Sequence, residues 1–385
     1  MIYSLSLSGG CPRIRFWPVL VVQSFVDAVT CALIAALGAL VSARVGLIAG
    51  ALAALWPNMI VHSQLILGDS LFLFFAAAGL YVSAQCLLKP RIAYAAAAGI
   101  VFGLMTLVRS VGLLIPFAMV AIFLLVELWR GHGLKRAIGY SAAALVIFAV
   151  MISPILWRNV TNFGTWQLTS QSGTHFLLWV VNYSKSIETG ITFEAGSKQL
   201  QDKLAARLDE ARKSKPELND FDYSDIAMGL AKEEVRNLPL LVIARSWVSG
   251  MMMNFAAPAI VVDPRIRDLN SGSFMNMAAK GTIERLVVFL SQNDPGYLAW
   301  VIFGLAVGSV VTLLQISGWL ILSRENFLLA MIFLGWIVYF FLVTGPVTSP
   351  KYRLPIEPVL IIAQAIAIST LVSRFWGDRA VHRGT

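Results

Sequence analysis

Charge is what this sequence has least of. Only 13% of its 385 residues are charged, while 58% are hydrophobic and the mean hydropathy is +0.74. A soluble domain carries about a quarter charged residues, so this composition excludes an ordinary cytosolic enzyme, and it excludes disorder as well. Cysteine is scarce too. Cys11, Cys31 and Cys86 are an odd set of three, two of them inside apolar runs, which excludes a disulfide framework. The first residues given do not read as a clean signal peptide: Arg13 and Arg15 follow a polar Ser/Gly stretch, and the apolar run after them is too long for a signal core. No long internal repeat is visible.

What the chain does have is apolar segments of bilayer-spanning length. They run at roughly 17–43, 46–66, 70–88, 92–108, 112–129, 137–157, 297–323, 327–345 and 356–375. The expected fold is therefore an all-α polytopic membrane protein of about nine helices. Three regions follow: an N-terminal membrane region (1–157), a polar region (158–296), and a C-terminal membrane region with a tail (297–385).

The net charge of +9 would suggest nucleic acid in a soluble protein, but its placement argues against that partner. Residues 159–296 hold 15 acids and 14 bases, whereas the rest of the chain holds 16 bases and 6 acids, mostly in short loops. Loop charge encodes topology. Arg44, Lys89, Arg91, Arg130, Lys135, Arg136, Arg324, Arg374, Arg379 and Arg383 fall on one side. Arg13, Arg15, Arg109, Arg158, Lys351 and Arg353 fall on the other. The richer side is expected to be cytoplasmic, which puts the polar region outside. Segment 239–262 is apolar, but Arg245 sits in it and Pro258 breaks it, so it reads as an interfacial or re-entrant element.

Within the polar region, Leu200, Leu204 and Leu208 recur four apart, the mark of an amphipathic helix over 197–213. A second is expected at about 224–237 with Ser224 as N-cap, and Pro239 suits the first turn of a third. Gly46-x-x-x-Gly50 and Gly99-x-x-x-Gly103 fit close helix packing.

Ionisable residues near membrane spans are functional candidates by default. Asp69, Arg109, Arg158, Lys351, Tyr352 and Arg353 all fall at the outer boundary, with His62 nearby. One carboxylate among several cations suits chemistry on an anionic, membrane-borne substrate. Arg and Lys can hold a lipid phosphate, and a carboxylate at the same depth can take a proton from an acceptor hydroxyl. Bland roles exist for each. Asp69 could cap the helix that begins at Ser70, Arg109 and Arg158 could snorkel to headgroups, and His62 could simply pack. Asp27, inside the first segment, either pairs with a neighbouring helix or lines a cavity.

Four stretches resemble one family. They are Trp56-Pro57-Asn58 running on to His62-Ser63 and Gly68-Asp69-Ser70-Leu71-Phe72; Gly103-Leu104 to Arg109; Ser153-Pro154 to Arg158-Asn159, followed by Phe163-Gly164; and Lys351-Tyr352-Arg353-Leu354-Pro355-Ile356-Glu357-Pro358. Together, over about residues 18–370, they resemble the polyprenyl-phosphate-sugar-dependent membrane glycosyltransferases of the GT-C class, the group that includes protein mannosyltransferases and aminoarabinose- and galacturonosyl-transferases. The resemblance implies transfer of a sugar from a polyprenyl-phosphate carrier to a lipid, glycan or protein acceptor at the outer face. In a bacterium this would be the periplasmic side of the inner membrane. It makes Asp69 the acidic residue of the second outer loop and Arg109, Arg158, Lys351 and Arg353 carrier-phosphate contacts; taken with the boundary reading, Asp69 is the catalytic candidate, and His62 and Tyr352 join those four as substrate-binding candidates. It leaves any divalent metal, the sugar and the oligomeric state undetermined.

The family pattern begins with a further helix and a loop carrying the principal catalytic aspartate. Residues 1–16 hold no Asp or Glu, so the expectation is that an N-terminal piece precedes this sequence. A transporter or flippase coupled through Asp27, or an inactive assembly partner, are the competing classes.

Overall fold

The computed structural model describes residues 17–131, 133–256, 274–347 and 349–381. Cys11, Arg13, Arg15, Pro258 and Arg383 lie outside them. The described residues are helical, with no strand among them. In chain order the helices are α1 (Trp17–Ala39), α2 (Ala43–Ala54), α3 (Pro57–Ser63), α4 (Asp69–Leu88), α5 (Ile92–Val108), α6 (Ile115–Trp129), α7 (Leu134–Phe163), α8 (Ser172–His175), α9 (Asn182–Thr189), α10 (Phe193–Ser214), α11 (Asp220–Arg236), α12 (Leu240–Ala256), α13 (Thr282–Gln292), α14 (Pro295–Glu325), α15 (Phe327–Thr344) and α16 (Glu357–Val381). Among the described residues, seven helices are long and apolar enough to cross a membrane, or up to nine if each of two bent pairs is one span. The chain is a multi-pass membrane protein.

Segment 46–66 is one of the bent pairs. α2 and α3 meet at 49° where Pro57 opens α3, because proline lacks an amide hydrogen and suits a first turn but not a helix interior. α5 is a shorter apolar helix. α7 runs on past the apolar stretch as far as Phe163, where Gly164 closes it in the left-handed conformation at φ +69°. That backbone shape favours glycine because it has no Cβ to clash.

The small-residue pairs seat helices backbone to backbone. A Cβ on Gly99 would stand 2.5 Å from the Ala144 carbonyl oxygen, and one on Gly103 2.4 Å from Met151 Cβ. α5 therefore lies directly on α7. Gly46 meets the Ala35 carbonyl in the same way, holding α2 on α1. In lipid, where apolar burial gives helices little reason to associate, such close van der Waals contact supplies much of the attraction. At the C-terminal end, Gly318 of α14 presses on the Ala363 backbone of α16.

The cations group by end as the loop charges suggested. At one end Arg44 donates to Ser373 Oγ (2.7 Å), Arg130 to the Leu87 carbonyl (2.6 Å) and Arg136 to the Pro90 carbonyl (2.8 Å). Arg109, Arg158 and Lys351 are at the other end, beneath the polar region.

That polar region has its own core, built from Leu177, Val181, Leu200, Leu204, Leu208, Ala227 and Leu230. α10 carries the expected leucine stripe. α11 starts earlier than expected. Its N-cap is Asn219, not Ser224, because Asn219 and Asp222 form a reciprocal capping box that satisfies the first amides. Ser224 is buried within the helix and its Oγ accepts from the Gly173 amide (3.0 Å). The helix after Pro239 begins at Leu240. α12 turns away from α11 by 114°, so 239–256 does not continue straight on as a crossing. Leu240, Leu241, Val248 and Met252 are exposed on it, while Ser246, Ser249 and Asn254 are buried. α13 shows the same two-sidedness. Ile283, Leu286, Val287 and Leu290 are exposed, and Arg285 is buried, donating to Ser186 Oγ (2.7 Å) and to the Ser186 carbonyl (3.0 Å). Cys31 and Cys86 are free thiols.

Candidate active site

A cavity of about 900 Å³ separates the polar region from the membrane bundle. Phe72, Ile155, Phe340 and Val343 form its apolar side. Arg109, Arg158, His175, Lys351 and Tyr352 supply its ionisable groups, and no carboxylate lines it among the described residues.

Each cation arrives from a different element. Arg109 follows α5 in extended conformation (φ −147°, ψ 125°), which swings its side chain out of the helix line. Its guanidinium forms an ion pair with Asp69, whose side chain is 2% exposed against 30% for Arg109. Asp69 does not cap α4. Gly68 holds the cap position and Asp69 is the first helical residue, its carboxylate turned to Arg109 instead of to the helix amides. The second Asp69 oxygen is buried without a hydrogen-bond partner. Asp69 thus sits behind the cavity wall, presenting Arg109 to the interior, and is not itself among the lining residues.

Arg158 comes from α7, below its exit. It donates through Nε and Nη2 to Asn159 Oδ1 (3.1 and 2.8 Å), and Asn159 Nδ2 donates in turn to the Gln167 carbonyl (2.7 Å). Arg158 has no carboxylate partner among the described residues, so its charge is available to a ligand. Lys351 and Tyr352 come from a short 3-10 turn before α16, with the Lys351 ammonium 5.1 Å from the centre of the Tyr352 ring. Burial, helped by the nearby Arg109 charge, pulls the Lys351 pKa below its ordinary 10.5, while Asp69 opposes the shift. Burial raises that of the Tyr352 phenol.

Arg353 and His62 are placed elsewhere. Arg353 bonds the buried Glu357 (Nε–Oε1 3.0 Å) and donates to the Phe255 carbonyl (2.6 Å) at the end of α12. Asn58 of α3 also donates to Glu357 (3.0 Å). Asn254 adds a clamp, donating to the Val347 carbonyl (2.7 Å) and accepting from the Ser349 amide (2.9 Å). These bonds fix the turn that carries Lys351 and Tyr352. His62 is buried, with Nδ1 bonded to the Asn58 carbonyl (2.8 Å), and does not line the cavity. Asp27 accepts from Ser70 Oγ (3.1 Å), so it pairs with the neighbouring helix α4.

Residues 13–157 match the family model of dolichyl-phosphate-mannose-protein mannosyltransferases. Over that stretch the chain is similar to this GT-C type of membrane glycosyltransferase. The match covers the bundle that delivers Asp69 and Arg109 and ends one residue short of Arg158. It supports membrane glycosyl transfer as the general activity. No curated protein matches the sequence.

Two residues of the site escaped the sequence. Glu357 was visible only as part of the Pro355–Pro358 stretch, and nothing in spacing marks it as the anchor of Arg353. His175 lies in the polar region outside every motif. Its one signal was a histidine four residues from Trp179, which the structure stacks ring on ring at 6.0 Å. No group of three His, Cys, Asp or Glu suited to a metal occurs among the described residues.

Proposed function

We propose that this protein transfers a sugar from a polyprenyl-phosphate carrier to an acceptor hydroxyl at the outer face of the membrane. The observation that carries the reading is the cation set Arg109, Arg158 and Lys351 around one large cavity between membrane bundle and polar region, with Arg109 paired to Asp69 behind the wall and no carboxylate among the described lining residues to neutralise Arg158 and Lys351. Such a cavity attracts an anion, and its place where the apolar helices meet the polar region suits one attached to a lipid tail. As the bond between anomeric carbon and phosphate oxygen breaks, negative charge grows on the leaving phosphate. Fixed cations stabilise that charge more than they stabilise the bound ester, which is the condition for catalysis. Asp69 acts here by holding Arg109 in position.

The test is reconstitution into liposomes with undecaprenyl phosphate carrying labelled hexoses or pentoses, and with envelope lipid and glycan as acceptor. The expected result is label leaving the carrier and appearing on the acceptor. Label that crosses the bilayer still on its carrier would instead identify a flippase.

A further inference from the structure

The cavity that collects three cations lacks a carboxylate among its described lining residues, yet transfer to a hydroxyl needs somewhere for a proton to go. Asp69 is poorly placed to take it, being buried behind Arg109 and engaged by it. Tyr352 is a phenol whose pKa burial raises, so it holds its own proton. Among the described lining residues, His175 is the group whose side chain is ordinarily neutral, with a basic lone pair, near neutral pH.

We propose that His175 is a catalytic residue of the cavity, the general base that accepts the proton of the attacking hydroxyl; this rests on the glycosyl-transfer reading. Three independent features place it for that work. It lines the cavity together with Arg109 and Lys351. Its ring stacks on Trp179 at an interplanar angle of 27°, and Trp179 is backed by Phe193 at 5.3 Å, which fixes the ring plane. It stands at the junction between the four-residue α8 and a π-helical turn over Phe176–Val181, a backbone irregularity found often at functional sites. On its other flank, α11 packs against α8 with Ser224 bonded to the Gly173 amide, and Met228 of α11 lines the same cavity. Burial, with Lys351 and Arg109 adding to it, lowers the His175 pKa from its ordinary 6.5. The imidazole is then unprotonated at neutral pH and ready to accept.

The step balances. The acceptor oxygen forms a bond to the anomeric carbon while the bond from that carbon to the phosphate oxygen breaks, its electron pair leaving on the polyprenyl phosphate. The hydroxyl proton passes to the ring nitrogen of His175 and from there to water. The new imidazolium would be unwelcome beside two cations, but it appears as the leaving phosphate gains its second negative charge, which offsets it.

The experiment compares the wild type with His175→Gln in nanodiscs, using undecaprenyl phosphate carrying labelled hexoses or pentoses. A general base contributes about 100-fold or more. His175→Gln should therefore lower kcat by about 100-fold with KM little changed, and the acid limb of the wild-type pH profile should vanish. A second measurement needs no variant. Diethyl pyrocarbonate should carbethoxylate His175, located by peptide mass spectrometry, and stop transfer, and hydroxylamine should restore it. Added undecaprenyl phosphate should protect His175 where undecaprenol does not. Transfer by His175→Gln at the wild-type rate and pH profile would overturn the role of His175 alone. Full transfer with His175 carbethoxylated would do the same. A wild type that moves no sugar would overturn the functional reading, and this role with it.

Discussion

The Asp69–Arg109 ion pair is the joint between membrane bundle and cavity, and its two halves should not be equivalent. The Asp69 side chain is 2% exposed and that of Arg109 30%. Replacing Arg109 with Gln leaves a carboxylate buried without its counter-charge, which costs about 3–5 kcal/mol when one partner of a buried pair is removed. Replacing Asp69 with Asn leaves a cation that still reaches cavity water, so the loss is nearer that of one charge-assisted hydrogen bond, about 1.5–3 kcal/mol. The double variant removes both charges and should cost less than the sum, with a coupling of about 1–3 kcal/mol. Unfolding in mixed micelles by increasing dodecyl sulfate measures all four species. Equal losses for the two single variants, additive in the double, would refute the buried-pair reasoning. Transfer assays on the same proteins give a second check, because Asp69→Asn should raise the KM for donor as Arg109 loses its fixed position. Undiminished transfer would remove Asp69 from the site.

Other consequences follow from particular contacts. The Lys351 pKa lies below 10.5, so its charge is lost as pH rises through that lowered value. Donor binding should weaken there, and Lys351→Arg should move the loss to higher pH in a titration with undecaprenyl phosphate. Glu357→Gln removes the charge that Arg353 needs and should destabilise by about 3–5 kcal/mol as the loss of a buried partner, read in the same micelle assay. Gly318→Ala puts a Cβ 1.7 Å from the Ala363 carbonyl oxygen and should cost at least about 1–3 kcal/mol of overpacking. Gly308→Ala, where nothing lies within 4 Å, should cost nothing in that assay.

Much of the architecture was legible because bilayer physics is blunt. Span length and loop charge follow from the cost of burying polar groups in lipid, and the structure groups Arg44, Arg130 and Arg136 at one end and the cavity cations at the other. The amphipathic leucines of α10 were legible for the same reason. Local competition was harder to read. Ser224 looked like an N-cap until the Asn219–Asp222 capping box took that role, and Asp69 looked like one until Arg109 drew its carboxylate away. Long-range pairing was least visible. Arg353 and Lys351 are two residues apart and look interchangeable in sequence, yet one is tied to Glu357 and Phe255 while the other faces the cavity. His175 carried no motif because its role depends on cations brought from α5 and from the turn before α16.

The most direct test of the central claim is the affinity of the full chain in nanodiscs for undecaprenyl phosphate against undecaprenol, in the wild type and in an Arg158→Gln, Lys351→Gln double variant. Charge-assisted contacts to phosphate are worth about 1.5–3 kcal/mol each. The cavity should therefore prefer the phosphate by about 10-fold or more, and the double variant should lose most of that preference. Equal binding of phosphate and alcohol by the wild type, or an unchanged preference in the double variant, would contradict the account.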